Sequence, residues 1–321
     1  MSQPRVDIAI PVYNGADHIA ECLESLLRQT HANWVATVVN NCSTDATGGI
    51  ADAFARRDAR IRVSHETEFV DQCGNYNRAL SHITGESEYG KIVEADNWLM
   101  PDALARMIEL GETSPRLGVI GAYWLHGTEV GGAGLEPSCT VLPGLESIRL
   151  FFRRRVYLFG APTTVMFRTR AVRDEATGFR PGLFYDDFDF CIRLLKSWDF
   201  GYVHQILAYV REDNGGVFDW IRRADHYPAF RYFLLQDYGR DLFSGPELDQ
   251  QRTRCRRDYL NRLGEACISR RGTDYWKLHR TLFRQNHESF PTLRLAWPVA
   301  RAILVRLANP GSTLRNVMHR R

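Results

Sequence analysis

The chain has 321 residues, 44% of them apolar and 25% charged, with a formal charge of +3. That length allows one large domain or two ordinary ones with a sizeable core, and the small charge gives no argument for nucleic acid as a partner. The seven cysteines (22, 42, 73, 139, 191, 255 and 267) are odd in number, scattered and never in a C-x-x-C pair, which points to a reducing compartment and away from a zinc site. The opening MSQPRVDIAIPVYN lacks an apolar signal core, and no run reaches the roughly 18 apolar residues of a membrane span, so a cytoplasmic protein is expected.

Val6–Val12 reads as a buried strand running into Pro11, Tyr13, Asn14 and Gly15. Ile19, Cys22, Leu23, Leu26 and Leu27 recur at helical spacing, so Ala16–Gln29 is predicted to be an amphipathic helix. Trp34–Val39 is a second strand, followed by the polar turn NNCSTDATGG and a helix from about Asp45 to Arg57. Then come a short strand, Ile61–Ser64, a helix, Gln72–Ile83, and a strand, Gly90–Val93. Pro101–Glu112 is a helix with proline in its first turn, where a missing N–H does no harm, and Leu117–Ala122 is a further strand. Helices alternating with continuous apolar strands make the pattern of a parallel sheet covered on both faces. Such sheets bind ligands at the carboxyl ends of their strands. Three polar clusters fall at strand ends: Tyr13–Gly15, Asn40–Asp45 and Glu94–Asn97.

Beyond Gly131 the alternation fades. GTEVGGAGLEPSC reads as a loop, Gly144–Phe152 as a helix and Thr163–Arg168 as a strand, and FYDDFDFCIRLLKSW sets Asp186, Asp187 and Asp189 ahead of another helix. From Trp220 onward the pattern is helical and rich in aromatics and arginine. The expected organisation is a domain over 1–218, with halves 1–122 and 123–218, and a helical region over 219–321. Residues 277–321 hold nine Lys or Arg and one acid, Glu288, so this tail is +8 and the rest of the chain is −5. Leu293, Trp297, Ala300, Leu304 and Leu307 recur at helical spacing within it. A basic amphipathic helix over 291–321 can lie on an anionic membrane or pack on its own domain, and the sequence leaves both readings open.

The first strand is not followed by G-x-G-x-x-G, and no P-loop is present. Backbone amides alone are therefore not expected to hold phosphates. Glu94 and Asp96 offer another route. Two unit charges about 4 Å apart interact by about 4 kcal/mol at an effective dielectric near 20, so bare carboxylates would repel a diphosphate by that order. A magnesium or manganese ion between them inverts the sign.

PVYNG, NNCSTDAT, EADNWLMPDAL and YDDFDFCIRLLK occur in the order and rough spacing of family 2 glycosyltransferases, and over about residues 5–215 the chain resembles that family. The resemblance implies an α/β fold of the GT-A type, a Rossmann-like, mostly parallel sheet flanked by helices, here with a helical C-terminal extension. It implies inverting transfer of a sugar from a nucleotide-diphosphate donor to a saccharide or lipid-linked acceptor in surface polysaccharide or glycolipid assembly. By the same resemblance Pro11, Tyr13, Asn14, Asn40, Asn41, Asp45, Asn77, Glu94 and Ala95 line the nucleotide pocket, and Asp96 is the direct metal ligand. Gly160, Pro162, Thr163 and Thr164 lie near donor sugar and acceptor. Asp187 is the general base, beside Asp186. A base suffices for single displacement, and a helix N-terminus at Asp187 favours its ionised form while Asp186 and Asp189 oppose it.

Three departures from the family pattern involve four positions. Asn40 and Asn41 stand where an acidic pair is usual; an amide can still meet a pyrimidine edge, which favours uridine or thymidine donors. Glu94 replaces the first Asp of Asp-x-Asp. Asp213 stands where relatives carry a histidine, and is taken as a further metal ligand. These departures keep a second reading open, a nucleotide-sugar-binding protein without catalysis. Trp98, Cys42 and Cys191 read as packing residues, Asp189 as a helix cap and Lys91 as a surface residue.

Overall fold

The computed structural model describes residues 3–159, 161–175, 178–183, 185–212 and 227–308. The chain divides into two compact units, residues 1–214 and 215–321.

The first unit begins with β1 (Val6–Val12), buried at every position. Its one acid, Asp7, is matched by the Arg5 guanidinium at 3.0 Å and by the Thr84 N–H and hydroxyl at 2.8 and 2.7 Å. After it come α1 (Ile19–Leu27), β2 (Trp34–Asn40), α2 (Thr47–Arg57), β3 (Ile61–His65), α3 (Gln72–Ser81), β4 (Tyr89–Ile92), β5 (Trp98–Leu99), α4 (Ala103–Gly111) and β6 (Leu117–His126). The second half adds β7 (Glu129–Gly131), β8 (Val141–Leu142), α5 (Gly144–Arg154), a 3-10 turn (Pro162–Thr164), β9 (Val165–Arg168), α6 (Thr169–Glu175), α7 (Asp186–Leu195) and β10 (Asp199–Val210).

The ten strands among the described residues form one sheet, ordered β3-β2-β1-β4-β9-β6-β10-β5, with β7 against β6 and β8 against β10. β3, β2, β1 and β4 pair in parallel, as do β6 and β10. The parallel expectation needs one correction. β9 enters antiparallel between β4 and β6, and β5 and β8 lie antiparallel to β10. Because β1, β2 and β4 run the same way, Tyr13, Asn41 and Val93 leave the sheet at the same edge, and this edge carries the site. β10 was not expected as a strand. Its pairing with β6 slips between Val203 and Ile206 and again between Ile206 and Ala208, and such irregularities erase two-residue alternation.

The core lies on both faces of the sheet. α7 is fixed by Phe188, which is 1% exposed and packs against Phe151, Tyr157 and Phe159 with ring centroids 4.7, 5.3 and 4.4 Å away. Burying such a ring stabilises the fold by about 1.5–3 kcal/mol, which anchors the first turn of α7 against α5 and the segment that follows it. Gly90 lets β4 approach β9, since a Cβ there would stand 2.4 Å from the Phe167 ring.

The second unit contains α8 (Tyr227–Leu242), α9 (Gly245–Ile268), α10 (Thr273–Gln285), a 3-10 turn (Leu293–Leu295) and α11 (Ala296–Ala308). Its centre is aromatic: Tyr259 stacks on Phe283 at 5.3 Å and its hydroxyl meets His279 Nδ1 at 2.7 Å. Among the described residues no helix is long and apolar enough to cross a membrane.

Candidate active site

The ends of β1 and β2 are tied together through polar groups. Asn14 takes a left-handed conformation (φ 50°), which its short amide tolerates. Its N–H donates to Ser43 Oγ at 2.9 Å, and its Oδ1 accepts the Thr44 N–H at 2.8 Å. Gly15 N–H donates to Thr47 Oγ1, and Asp45 accepts the N–H groups of Ala16 and Thr47, so Asp45 closes the turn and heads α2. Pro11 is buried within β1, and Ala95 is 7% exposed. Tyr13 is 49% exposed, and Phe69 meets its ring edge-on at 4.8 Å. Phe69 was not singled out in the sequence, where a lone aromatic in a polar loop carries no periodic signal.

Asn40 and Asn41 are buried and already engaged. Asn40 accepts the Ser43 N–H at 3.2 Å and donates to His65 Nδ1 at 3.0 Å, and His65 Nε2 then faces Asp52. Asn41 donates to Val70 O at 2.8 Å and accepts from Val70 N–H and Arg78 at 3.1 Å each. These amides brace the turn. A pyrimidine edge reading Asn40 or Asn41 would have to displace partners each amide already holds. Asn77 likewise bridges the chain, donating to Phe179 O at 2.9 Å and accepting its N–H at 2.7 Å. This bridge needs Gly178, whose φ is +80° and whose Cβ position lies 2.3 Å from Asn77 Oδ1.

Glu94, just past β4, sits in a dense hydrogen-bond net. Its Oε1 accepts the Tyr76 hydroxyl at 2.6 Å, and its Oε2 accepts Asn97 Nδ2 at 2.9 Å and the Thr163 hydroxyl at 3.1 Å. Its N–H returns to Thr163 Oγ1 at 3.0 Å. Burial first, then the Asp96 charge, push its carboxyl up to about 7, against the pull of Tyr76 and Thr163. With both oxygens engaged, Glu94 anchors the turn that carries Asp96. Arg211, at the end of β10, holds that turn from the other side: its N–H donates to Asn97 Oδ1 at 2.9 Å, its Nε to Asp96 O at 3.1 Å, and its guanidinium lies 5.1 Å from the Trp98 ring. Trp98 stacks on Tyr209 at 3.8 Å.

Lys91 requires a correction. It is fully buried rather than on the surface, and its ammonium donates to Thr163 O at 2.7 Å and Val165 O at 2.8 Å. Burial lowers its pKa to about 7. Lys91 thus pins the 3-10 turn carrying Pro162, Thr163 and Thr164 onto β4, and Thr163 passes that position on to Glu94. Gly160 and Asp213 lie outside the described residues.

α7 opens with Asp186 and Asp187. Phe188 N–H donates to Asp187 Oδ1 at 2.7 Å, and Asp187 N–H to Asp186 Oδ1 at 3.0 Å. Asp187 faces a small apolar cleft lined by Ile92, Pro162, Val165, Phe167 and Phe190. Burial there, with Asp186 and then Glu94 adding like charge, pushes its carboxyl up to about 8. Burial raises Asp186 to about 6. Asp189 proves to be a buried ion-pair partner of Arg180 and Arg193, not a cap.

Asp96 and Asp186 lie close enough to Glu94, and Asp186 and Glu94 close enough to Asp187, to raise the proton affinity of Glu94 and Asp187. Among the described residues no three His, Cys, Asp or Glu side chains form a ready ligand set. The donors present are carboxylate oxygens, which suit a hard cation that completes its shell with phosphate oxygens and water.

Fold and site together define a GT-A type α/β protein. The chain belongs to glycosyl transferase family 2, whose sequence profile matches residues 7–175 and stops short of Asp186 and Asp187. It is 27% identical over 218 residues to the putative glycosyltransferase EpsE of Bacillus subtilis, covering 66% of this chain and 75% of that one. The chain spans less than half the length of several other curated relatives that it matches. Among solved structures, TarS 1-349 of S. aureus in complex with UDP-GlcNAc has a TM-score of 0.56 at 18% identity, covering 88% of this chain and 92% of that one. The mannosyltransferase PcManGT of Pyrobaculum calidifontis, in complex with GDP-Man and Mn2+, has a TM-score of 0.59 at 18% identity, covering 96% and 87%. At these identities the structures share the fold.

Proposed function

We propose that this chain transfers a sugar from a nucleotide-diphosphate donor to an acceptor hydroxyl with inversion, Asp187 acting as the base. The observation that carries the proposal is the setting of Asp187. It is a carboxylate at a helix N-terminus, facing an apolar cleft and pushed up to about 8, where a base can take a proton near neutral pH. Single displacement needs one such group. The acceptor O–H bond breaks toward Asp187 as the oxygen joins the anomeric carbon and the diphosphate departs.

A magnesium or manganese ion on Asp96, with Asp213 as a further oxygen ligand, would supply the positive charge for the diphosphate. Glu94, held by Tyr76, Asn97 and Thr163, fixes the turn on which Asp96 sits. Tyr13 and Phe69 offer exposed ring faces for a base. The UDP-GlcNAc and GDP-Man of the two solved neighbours support a nucleotide-sugar donor, and the Mn2+ of one supports the cation. The acceptor is a saccharide or lipid-linked saccharide of surface polymer assembly, reached in the cytoplasm where activated sugars are made.

The test is Asp187→Asn. Turnover should fall by about 10²–10⁴ while donor affinity stays within about twofold of wild type. Unchanged turnover would remove Asp187 as the base. A wild type that binds donors yet transfers to no acceptor and does not hydrolyse the donor would favour the non-catalytic reading.

A further inference from the structure

α11 carries two apolar faces, and the smaller one is used for packing. Leu295, Pro298 and Ala302 are buried, and Gly264 of α9 admits the helix so closely that a Cβ there would lie 2.6 Å from the Pro298 backbone. Arg306 fastens the end of the helix by donating to Ser269 Oγ at 2.8 Å. At helical spacing, Leu293, Trp297, Leu304 and Leu307 fall on the opposite side, and they are 92%, 70%, 59% and 72% exposed. A helix that served only its own unit would turn these large residues inward and its small ones out.

We propose that this outer face of α11 docks on an anionic phospholipid surface. Arg294 and Arg301 are exposed beside the stripe. The one acid between 277 and 321, Glu288, is already engaged by the Tyr232 hydroxyl at 2.9 Å and by Gln236. Residues 291–308 hold Arg294, Arg301 and Arg306 and no acid, so the segment offers positive charge next to apolar side chains, which is the chemistry of an interfacial helix. Trp297 suits the headgroup boundary. The helix has 13 residues and reaches about 20 Å, short of the roughly 30 Å hydrocarbon core, so it lies in the interface and does not span. A second copy is a poorer occupant, because a two-fold contact through this stripe would bring two sets of Arg294 and Arg301 to one interface. The docking does not depend on the transfer chemistry and would hold for a chain that only bound a donor.

The experiment is cosedimentation of the full chain with phosphatidylcholine vesicles, with and without about 30 mol% phosphatidylglycerol, at low salt and at about 0.5 M salt. The wild type should bind the anionic vesicles at least tenfold more tightly than the neutral ones, with most of that preference lost at high salt. Leu304→Glu/Leu307→Glu should reduce binding at least tenfold, and Arg294→Gln/Arg301→Gln should reduce the anionic preference alone. Both variants alter exposed positions, and an unchanged melting temperature shows that each is folded. Absence of wild-type binding to anionic vesicles, or binding indifferent to Leu304→Glu/Leu307→Glu, overturns the proposal. So does a dimer in analytical ultracentrifugation that this double variant splits, without any vesicle binding.

Discussion

Asp187→Asn should make the metal-free protein more stable while it removes the proposed base. In the fold Asp187 holds its proton up to about 8, whereas an unfolded aspartate releases it near 3.8. Between those values the native state binds more protons than the unfolded state, so stability falls as pH rises through that window. The rise from 3.8 to about 8 disfavours the ionised form by roughly 6 kcal/mol, at about 1.4 kcal/mol for each tenfold step. Water entry and relaxation around a half-buried group reduce what unfolding reports, so about 1–3 kcal/mol is expected at pH 8. Asparagine keeps the acceptor for the Phe188 N–H, now at 2.7 Å, and leaves nothing to ionise. The assay is thermal unfolding without divalent metal at pH 8 and pH 5. The variant should melt about 3–8 °C above wild type at pH 8, with the gap narrowing to under about 2 °C at pH 5. A variant that melts below wild type at pH 8, or by the same margin at both pH values, would refute the argument from desolvation and like charge.

Two other positions test the site from different sides. Lys91→Met should lower turnover by about tenfold by slackening the turn that carries Thr163. Because burial lowers the Lys91 pKa to about 7, its proton is lost in the native state before the unfolded one. Wild-type stability should gain from Lys91 as pH rises from 7 toward 10, and urea unfolding of the variant should lack that gain. Phe69→Ala should raise the donor KM by about three- to tenfold with kcat unchanged, from loss of an aromatic contact in the ground and transition states alike, and an unchanged KM would place the base elsewhere.

Much of the sheet was legible because its strands are continuous apolar runs. Val6–Val12 coincides with β1, and the helical spacing of Ile19, Cys22, Leu23 and Leu26 marks the buried face of α1. The antiparallel entry of β9 was not legible, since Val165–Arg168 is buried throughout and reads the same in either direction. At the site, acids at strand and helix ends were visible as residue types out of place in apolar surroundings. Their partners were not. Tyr76 reaches Glu94 across 18 positions and Thr163 across 69, distances over which sequence spacing says nothing. Lys91 misled for the same reason: a lysine in a strand reads as surface until the carbonyls of Thr163 and Val165 arrive to meet it. Asn40 and Asn41 were visible as amides, but only the fold shows that His65, Ser43, Val70 and Arg78 already occupy them.

The most direct measurement is calorimetric titration of a panel of UDP-, dTDP- and GDP-sugars, with and without manganese, into wild type and Asp96→Ala. The account predicts that one donor binds the wild type with manganese at least tenfold more tightly than without it, and that Asp96→Ala abolishes the difference. Protons should be released as the cation relieves the crowded carboxylates, visible as a dependence of the heat on the buffer. Donor binding indifferent to both manganese and Asp96 would contradict the claim that this strand end awaits a cation carrying a sugar diphosphate.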